Sequence, residues 1–172
     1  MGDQEQPRWL DVDEQRQWYA FAYALIRLPA ALDAELQRDA DLSHFEYLVL
    51  SGLSMMPRRT QRMSELAKYT ASTLSRLSNV ISRFENRGWV RRVPDPADGR
   101  YTLATLTDDG YAKVVDSAPA HVAEVRRLVF DVLSPAQQEQ LGRISELILK
   151  QIDPDSPSMA DCIPTPPSVH RD

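Results

Sequence analysis

The sequence has little cysteine or glycine, and it lacks a long apolar run. A single cysteine, Cys162, among 172 residues cannot form an internal disulfide or supply a cysteine-based metal cluster. The six glycines are too widely spaced for the loops that bind nucleotide phosphates. No stretch approaches the roughly 18 apolar residues of a membrane span, and the polar, acidic N-terminus differs from a secretory signal. We therefore expect a cytoplasmic protein without a cofactor or a metal site.

Sequence signatures of enzymes are also missing. The histidines, His44, His121 and His170, have no cysteine, HExxH motif or second histidine at metal-ligand spacing. There is no GxSxG motif. A catalytic triad assembled only by folding would escape this search, but no feature of the sequence favours one. We therefore expect a protein that is not an enzyme.

The net charge of −5 hides an uneven distribution. Residues 1–56 contain four basic and ten acidic side chains, and residues 102–172 contain six and eleven. Residues 57–101 contain ten basic and only four acidic side chains, a local net charge of +6. A cationic segment between acidic ones is typical of a localised anion-binding surface, although charge alone is equally compatible with a solvated charged face.

Capping signals and apolar spacing predict a mainly helical protein. Asp11 with Glu14, and Ser43 with Glu46, have the spacing of capping boxes that open helices. The first helix has an apolar stripe formed by Trp18, Phe21, Leu25, Leu32 and Leu36. Pro29 is expected to bend this helix or break it in two.

The basic segment predicts a helix-turn-helix. After a basic loop at 57–61, one helix begins near Ser64, and Thr73 is the expected N-cap of the next, which Gly88 ends. The inward side of this second helix has the spacing i, i+3, i+4, i+7 and consists of Leu77, Val80, Ile81 and Phe84.

The outward side of the second helix suits the major groove of DNA. The candidate DNA-binding residues on it are short polar side chains and arginines: Thr73, Ser75, Arg76, Ser78, Asn79, Ser82 and Arg83. Arginine pairs with guanine and asparagine with adenine, each worth about 1–3 kcal/mol of discrimination. The alternative is an amphipathic helix with a solvated side, but such a side usually mixes glutamate with lysine.

Two predicted strands, at 89–93 and 101–106, complete the segment as a cationic hairpin or wing. Asp98-Gly99 is a hairpin signal between them. Arg91, Arg92 and Arg100 place three positive charges on the hairpin, which suits phosphates or the narrow minor groove. Asp98 lies two residues from Arg100, so we expect the two to pair and Asp98 to orient the arginine.

The sequence resembles the MarR-type transcriptional regulators over roughly residues 11–152. Its most specific segments are LSHFEYLVLSGL (42–53), SELAKYTASTLSRLSNVISRFENRGWVRR (64–92) and DGRYTLATLTDDG (98–110). The last resembles the family's wing signature, Asp-x-Arg followed by Leu-Thr-x-x-Gly. The resemblance implies a mainly α fold with a small β-wing, in which N- and C-terminal dimerisation helices flank the winged helix-turn-helix. It also implies a homodimer on a palindromic operator, with Arg100 in the minor groove.

The sequence departs from the family at three places. Many members have arginine at the position of Asn79, whereas this chain has Arg76, and many have arginine at Gly99. Members that sense peroxide have a cysteine near the start of the first helix. This chain has none there, so we do not expect thiol-based sensing.

Members of the family often bind a small aromatic or anionic effector. The candidate pocket residues here are Trp18, Tyr23, Arg27, His44 and Tyr47. Each also has an ordinary structural interpretation: Trp18 as a core residue, His44 as a solvent-facing one, the tyrosines as interface filler and Arg27 as an ion-pair residue.

These observations predict a homodimeric, sequence-specific DNA-binding transcriptional regulator. We expect a repressor, since repression is the commoner mode in the family, and we expect a small-molecule effector to release it from DNA. The alternative is a winged-helix protein-interaction module without sequence-specific DNA binding. The predicted organisation is a flexible segment 1–10, N-terminal helices for dimerisation and support 11–56, the DNA-binding core 57–106, C-terminal dimerisation helices 107–152 and a disordered, proline-rich tail 153–172.

Overall fold

The computed structural model describes residues 7–154. The predicted tail lies almost entirely outside the described residues, and Cys162 lies outside them. Much of the predicted flexible N-terminus is also outside. The elements are α1 (Val12–Ala40), α2 (His44–Met55), a 3₁₀ turn (Pro57–Arg59), β1 (Thr60–Arg62), α3 (Met63–Tyr69), α4 (Leu74–Asn86), β2 (Val90–Pro94), β3 (Thr102–Leu106), α5 (Asp108–Val125), a π-helical turn (Arg126–Phe130) and α6 (Pro135–Ile152). A mainly helical protein with a small β-sheet is therefore confirmed.

The helices begin where the capping signals predict. Asp11 with Glu14 and Ser43 with Glu46 form complete capping boxes at the starts of α1 and α2. The Thr73 hydroxyl accepts a hydrogen bond from the backbone N–H of Arg76 at the start of α4. These side chains satisfy backbone N–H groups that have no partner in the first turn of a helix.

Helix α1 runs through Pro29 without a break, so of the two outcomes predicted at this proline, a bend or a break, the break is wrong. Proline in a helix interior removes one hydrogen bond and costs about 3 kcal/mol. The capping box at Asp11 holds the N-terminal side of the helix, and the burial of Leu32 and Leu36 holds the C-terminal side. Tertiary packing therefore outweighs the local preference.

The wing is a three-stranded sheet, where the sequence predicted a two-stranded hairpin. Strand β1 comes from the predicted basic loop and pairs antiparallel with β3, which also pairs with β2. The loop between β2 and β3 is longer than an Asp98-Gly99 turn, because the N–H of Asp95 donates to the carbonyl of Tyr101 (2.9 Å) and the N–H of Tyr101 to the carbonyl of Asp98 (3.0 Å). Gly99 does not adopt the positive φ that a two-residue hairpin turn requires.

The core lies between α2, α3, α4 and the wing strands, and it also includes the C-terminal end of α1 and Val114 of α5. Its largest fully buried side chains include Phe84 of α4 together with leucines of α1, α2 and α3. Within the described chain, no helix is both long and apolar enough to cross a membrane.

The outer ends of the long helices are not covered by the protomer itself. Trp18, Phe21 and Leu25 of the predicted stripe are exposed, whereas Leu32 and Leu36 are buried. Helix α6 has no buried residue at all, although it carries several large apolar side chains.

Candidate nucleic-acid interface

Helix α4 has the two different sides that its sequence predicts. The inward residues Leu77, Val80, Ile81 and Phe84 are all buried. The exposed residues from the predicted DNA-binding set are Thr73, Ser75, Arg76, Asn79 and Arg83. The only acidic residue of the helix, Glu85, lies in its last turn and is bound to Arg92. The exposed side is therefore free of negative charge.

Arg92 points at α4. Its Nε donates to Oε2 of Glu85 (2.9 Å), and its Nη1 and Nη2 donate to the hydroxyls of Ser78 (3.3 Å) and Ser82 (3.1 Å). The hydrogen bonds from the side chain and the backbone N–H of Arg92 hold the pKa of the Glu85 carboxyl below its usual range. The structure gives Arg92, Ser78 and Ser82 an internal role, in which they fasten the wing to α4. Their predicted contacts with DNA stay a prediction.

The two arginines of the exposed side of α4 are held against α2. The Arg76 guanidinium lies 4.0 Å from the centre of the Phe45 ring. Arg83 Nη2 donates to Oε1 of Glu46 (2.7 Å). Burial alone would raise the pKa of Glu46, but hydrogen bonds from Ser43 and Arg83 outweigh it and the pKa is lowered. Both guanidiniums therefore have a defined position before any ligand arrives.

The predicted pair at the wing tip is confirmed. Arg100 Nη2 donates to Oδ2 of Asp98 (2.6 Å) and Nε donates to Oδ1 (2.9 Å). The arginine holds the pKa of the Asp98 carboxyl below its usual range. The Arg100 side chain is 84% exposed, against 27% for Asp98, so the carboxylate orients a guanidinium that projects into solvent.

Arg91 lies on the other face of the sheet. Successive residues of a strand point to opposite faces, and Arg92 points to α4. Arg91 pairs in register with Thr105, whereas Arg92 pairs with the buried Ala104. The three wing arginines, predicted to act together, therefore point in three directions.

Sequence reasoning missed two features of this region. Leu74, in the first turn of α4, is 53% exposed beside Ser75; its position one turn before Ser78 already places it near the outward side. Arg62 Nε donates to Oδ2 of Asp95 (2.7 Å), 33 residues away, and closes the base of the wing. No local signal marks that second contact, because the partners are distant in sequence.

The predicted effector residues fall into two separate groups. Trp18 and Tyr23 of α1 are 52% and 64% exposed, and Arg27 lies 5.9 Å from the centre of the Tyr23 ring. His44 is at the start of α2, where its N–H donates to Oδ1 of Asp33 (2.7 Å). Asp33 is about 22 Å along the helix from Trp18, too far for one small ligand to contact both Trp18 and His44 in one protomer. The interpretation of Trp18 as a core residue of the protomer is also wrong.

The second group surrounds a buried histidine of α5. The His121 ring lies 4.5 Å from the ring of Tyr47 and 6.1 Å from that of His44, and its Nδ1 is 3.1 Å from Oε2 of Glu35. His44 is half-buried, so its interpretation as a solvent-facing residue is wrong. Burial and the neighbouring His121 lower the pKa of His44. Within residues 7–154 no group of three or more histidine, cysteine, aspartate or glutamate side chains could hold a metal ion.

Comparison with known proteins identifies the family. The MarR family domain matches residues 40–100. The structure is similar to that of Sco3205, a MarR family transcriptional regulator from Streptomyces coelicolor in complex with DNA, with 45% identity, a TM-score of 0.83 and coverage of 88% of this chain and 94% of Sco3205. It is also similar to the structure of Bordetella bronchiseptica BpsR, whose DNA binding is regulated by 6-hydroxynicotinic acid. The identity is 26%, the TM-score is 0.63, and the match covers 81% of this chain and 94% of BpsR.

The curated relatives are transcriptional regulators, not enzymes. The transcriptional regulator HosA of Escherichia coli O111:H- is 37% identical over 105 residues, which are 61% of this chain and 67% of HosA. The share of a curated relative's own length that the chain matches varies from 42% to 74%. With the helical fold, the three-stranded wing and the acid-free exposed side of α4, these similarities show that the chain belongs to the MarR family of winged helix-turn-helix transcriptional regulators.

Proposed function

We propose that this chain forms a homodimer that binds a palindromic operator and represses transcription. The observation that carries the proposal is the exposed side of α4, which combines arginine, asparagine and short hydroxyl side chains with no negative charge. The Arg100 guanidinium at the wing tip adds a second projecting cation.

Helix α4 is proposed to enter the major groove and to determine base preference. Arg76 can pair with guanine and Asn79 with adenine, whereas Leu74 offers an apolar contact for the methyl group of thymine. Thr73 and Ser75 in the first turn, and Arg83 near the end of the helix, are proposed to bind phosphates. Arg92, Ser78 and Ser82 set the angle between α4 and the wing.

Arg100 is proposed to enter the adjacent minor groove, with Asp98 as its positioning residue. The narrow minor groove has a strong negative potential that attracts arginine. Because Asp98 binds two nitrogen atoms of the guanidinium, the side chain has fewer conformations to lose on binding.

The homodimer is proposed because α6 is amphipathic and its apolar side is not covered within one protomer. Its apolar side consists of Leu141, Ile144, Leu147, Ile148 and Ile152, and its opposite side of Glu139, Arg143, Glu146 and Lys150. A helix with this pattern normally buries its apolar side, yet none of these residues is buried in the protomer. A second copy of the chain, with the exposed first half of α1, would cover this side.

Replacing Arg76 with alanine is expected to weaken binding to the selected operator about tenfold or more and to relax base preference at one position per half-site, because one bidentate base contact is lost. The operator is first selected from a random duplex pool with the wild-type protein. Fluorescence anisotropy then compares the selected duplex with all single-base variants.

The matched comparison is Arg100→Ala. This substitution should weaken binding to the operator and to its single-base variants by the same factor, and it should leave the dimer intact. A wild-type pool without a two-fold repeat at about one helical turn would contradict the palindromic operator. An Arg76→Ala protein with wild-type base preference would contradict the assignment of α4. Failure to retain any duplex, at any salt concentration, would favour the protein-interaction alternative.

Release by a small aromatic anion is proposed for the N-terminal group of effector residues. A hollow of about 490 Å³ is lined by Ala24, Arg27, Leu28, Ala30, Ala31 and Leu128, and the Tyr23 ring is close to Arg27. One cation over an apolar wall suits an aromatic monocarboxylate. The similarity to BpsR is consistent with an effector of this class.

Benzoate at millimolar concentration is therefore expected to weaken operator binding about tenfold, and Arg27→Gln should remove that response without changing affinity in the absence of benzoate. Anisotropy titrations with and without benzoate measure both values. Arg16→Gln, which removes another exposed arginine of α1, is the control. Equal responses of all three proteins, or no response of the wild type, would contradict this effector site.

A further inference from the structure

The outer face of the wing sheet, turned away from α4, carries an open groove. Two adjoining hollows of about 510 and 560 Å³ share Arg58, Arg91 and Thr105 as lining residues. We call this surface the outer groove. Hollows of this volume are large enough to hold a small organic ligand. The groove lies outside the surface proposed above for DNA reading.

Two arginines of the outer groove differ from the other arginines of the described chain. Residues 7–154 contain sixteen arginines, and fourteen of them have a carboxylate or an aromatic ring as a partner. The two whose side chains have no such partner within this part of the chain are Arg58 and Arg91. Both line the same groove.

The backbone that carries Arg58 is strained. Arg58 and Arg59 have φ angles of 54° and 53°, a left-handed conformation that residues other than glycine rarely adopt. Such residues cost about 1–3 kcal/mol each and persist only where the surroundings hold them. Arg59 provides that support, because Nη1 donates to Oδ1 of Asp108 (3.0 Å) and the guanidinium stacks on Tyr111 (3.7 Å). Arg58 is thereby kept beside the groove.

The acidic side chains that line the groove are already paired. Asp95 binds Arg62, and Asp108 binds Arg59. Hydrogen bonds from the backbone N–H of Ala97 and from Arg62 keep the pKa of Asp95 low. The two unpartnered guanidiniums therefore leave a local excess of two positive charges. The rest of the lining offers the hydroxyls of Thr60 and Thr105, which bind each other (3.0 Å), and the apolar surfaces of Pro96, Ala97 and Leu103.

We propose that the outer groove binds a small organic dianion, with two carboxylate or phosphate groups paired to Arg58 and Arg91. Arginine binds the oxygen atoms of both groups through parallel N–H donors. The apolar surfaces hold the carbon part of the ligand. The occupant is a small molecule rather than the operator, because Arg91 points away from α4, and this site is independent of the DNA-reading surface.

The test is a calorimetric titration of the full-length protein, without DNA, using phthalate and inorganic pyrophosphate as probes. Phthalate carries two carboxylates on an apolar ring, and pyrophosphate carries the anionic groups alone. We expect the wild type to bind both, phthalate more tightly. Arg58→Gly and Arg91→Gln should each weaken binding about tenfold, the loss of one charge-assisted contact. Because Gly accepts a positive φ, Arg58→Gly also relieves strain, and its melting temperature should not fall.

Arg143→Gln is the matched control, since Arg143 is an exposed arginine on the polar side of α6; it should bind both probes as the wild type does. No binding to the wild type at millimolar concentration, or equal binding by all four proteins, would overturn the proposal. A third outcome would also overturn it: Arg91→Gln weakens all duplexes alike and lowers the salt slope by about one, while neither probe binds. That result would make the groove a phosphate contact for DNA. Failure of the palindromic operator would leave these titrations unaffected.

Discussion

Replacing Ile144 with aspartate is expected to dissociate the dimer into monomers and to reduce operator affinity by about 100-fold or more. Ile144 is at the centre of the apolar side of α6 and is 54% exposed in the protomer. If a second copy covers this side, the substitution places an unpaired carboxylate in an apolar interface, which costs several kcal/mol. Affinity then falls because two linked half-site contacts reinforce each other by about 10²–10⁴.

Sedimentation velocity and anisotropy on the selected operator measure the two effects. Lys150→Asp introduces the same side chain on the polar side of α6 and should leave both dimer and affinity unchanged. If Ile144→Asp remained a dimer, the assignment of the apolar side of α6 to the interface would be wrong. If the Ile144→Asp protein were a monomer with full operator affinity, the two half-sites would not be coupled through the dimer.

Replacing Gly110 with alanine is expected to lower the free energy of unfolding by about 3 kcal/mol. Gly110 is buried in the first turn of α5, and a Cβ atom there would lie 2.2 Å from the carbonyl oxygen of Trp89 and 2.7 Å from a methyl group of Leu106. Backbone cannot move aside as the end of a long side chain can. The same carbonyl of Trp89 accepts hydrogen bonds from Thr107, through its N–H (2.9 Å) and its hydroxyl (3.0 Å), so displacing α5 would also strain these bonds.

Urea denaturation of the full-length protein measures the change, and Gly142→Ala is the control. Apart from its chain neighbours and the adjacent backbone of its own helix, no atom of the described residues lies within 4 Å of a Cβ at Gly142, in the interior of α6. Alanine there should raise helix stability by about 0.5–1 kcal/mol. Equal, small effects of the two substitutions would show that the contact between α5 and Trp89 is looser than the distances indicate.

The wing signature noticed in the sequence now has a physical explanation. Leu106 is buried in the core, Thr107 caps α5 and holds the carbonyls of Gly88 and Trp89, and Gly110 allows the helix to approach that backbone. The pattern therefore describes the junction of wing and helix. The Asp98–Arg100 pair, two residues apart on one segment, could also be predicted, because both partners are local.

Other parts of the site could not be predicted, because they depend on residues far apart in sequence. Strand β1 is only three residues long and exists because Thr60 pairs with Thr105. The three arginines of the predicted cationic hairpin point in three directions in the folded sheet, and Arg92 braces α4. Trp18 and His44, both predicted to line one effector pocket, lie too far apart for a single pocket within one protomer.

The sequence by itself determined the helix starts, the two sides of α4 and the pair at the wing tip, since each depends on spacing within one segment. Its resemblance to the MarR-type regulators over three segments indicated the family. Only the tertiary structure decided that α1 continues through Pro29, that α6 is left uncovered and that Arg58 and Arg91 share a groove. The physical reason is that capping and periodicity act between neighbouring residues, whereas burial and charge pairing depend on which distant residues the fold brings together.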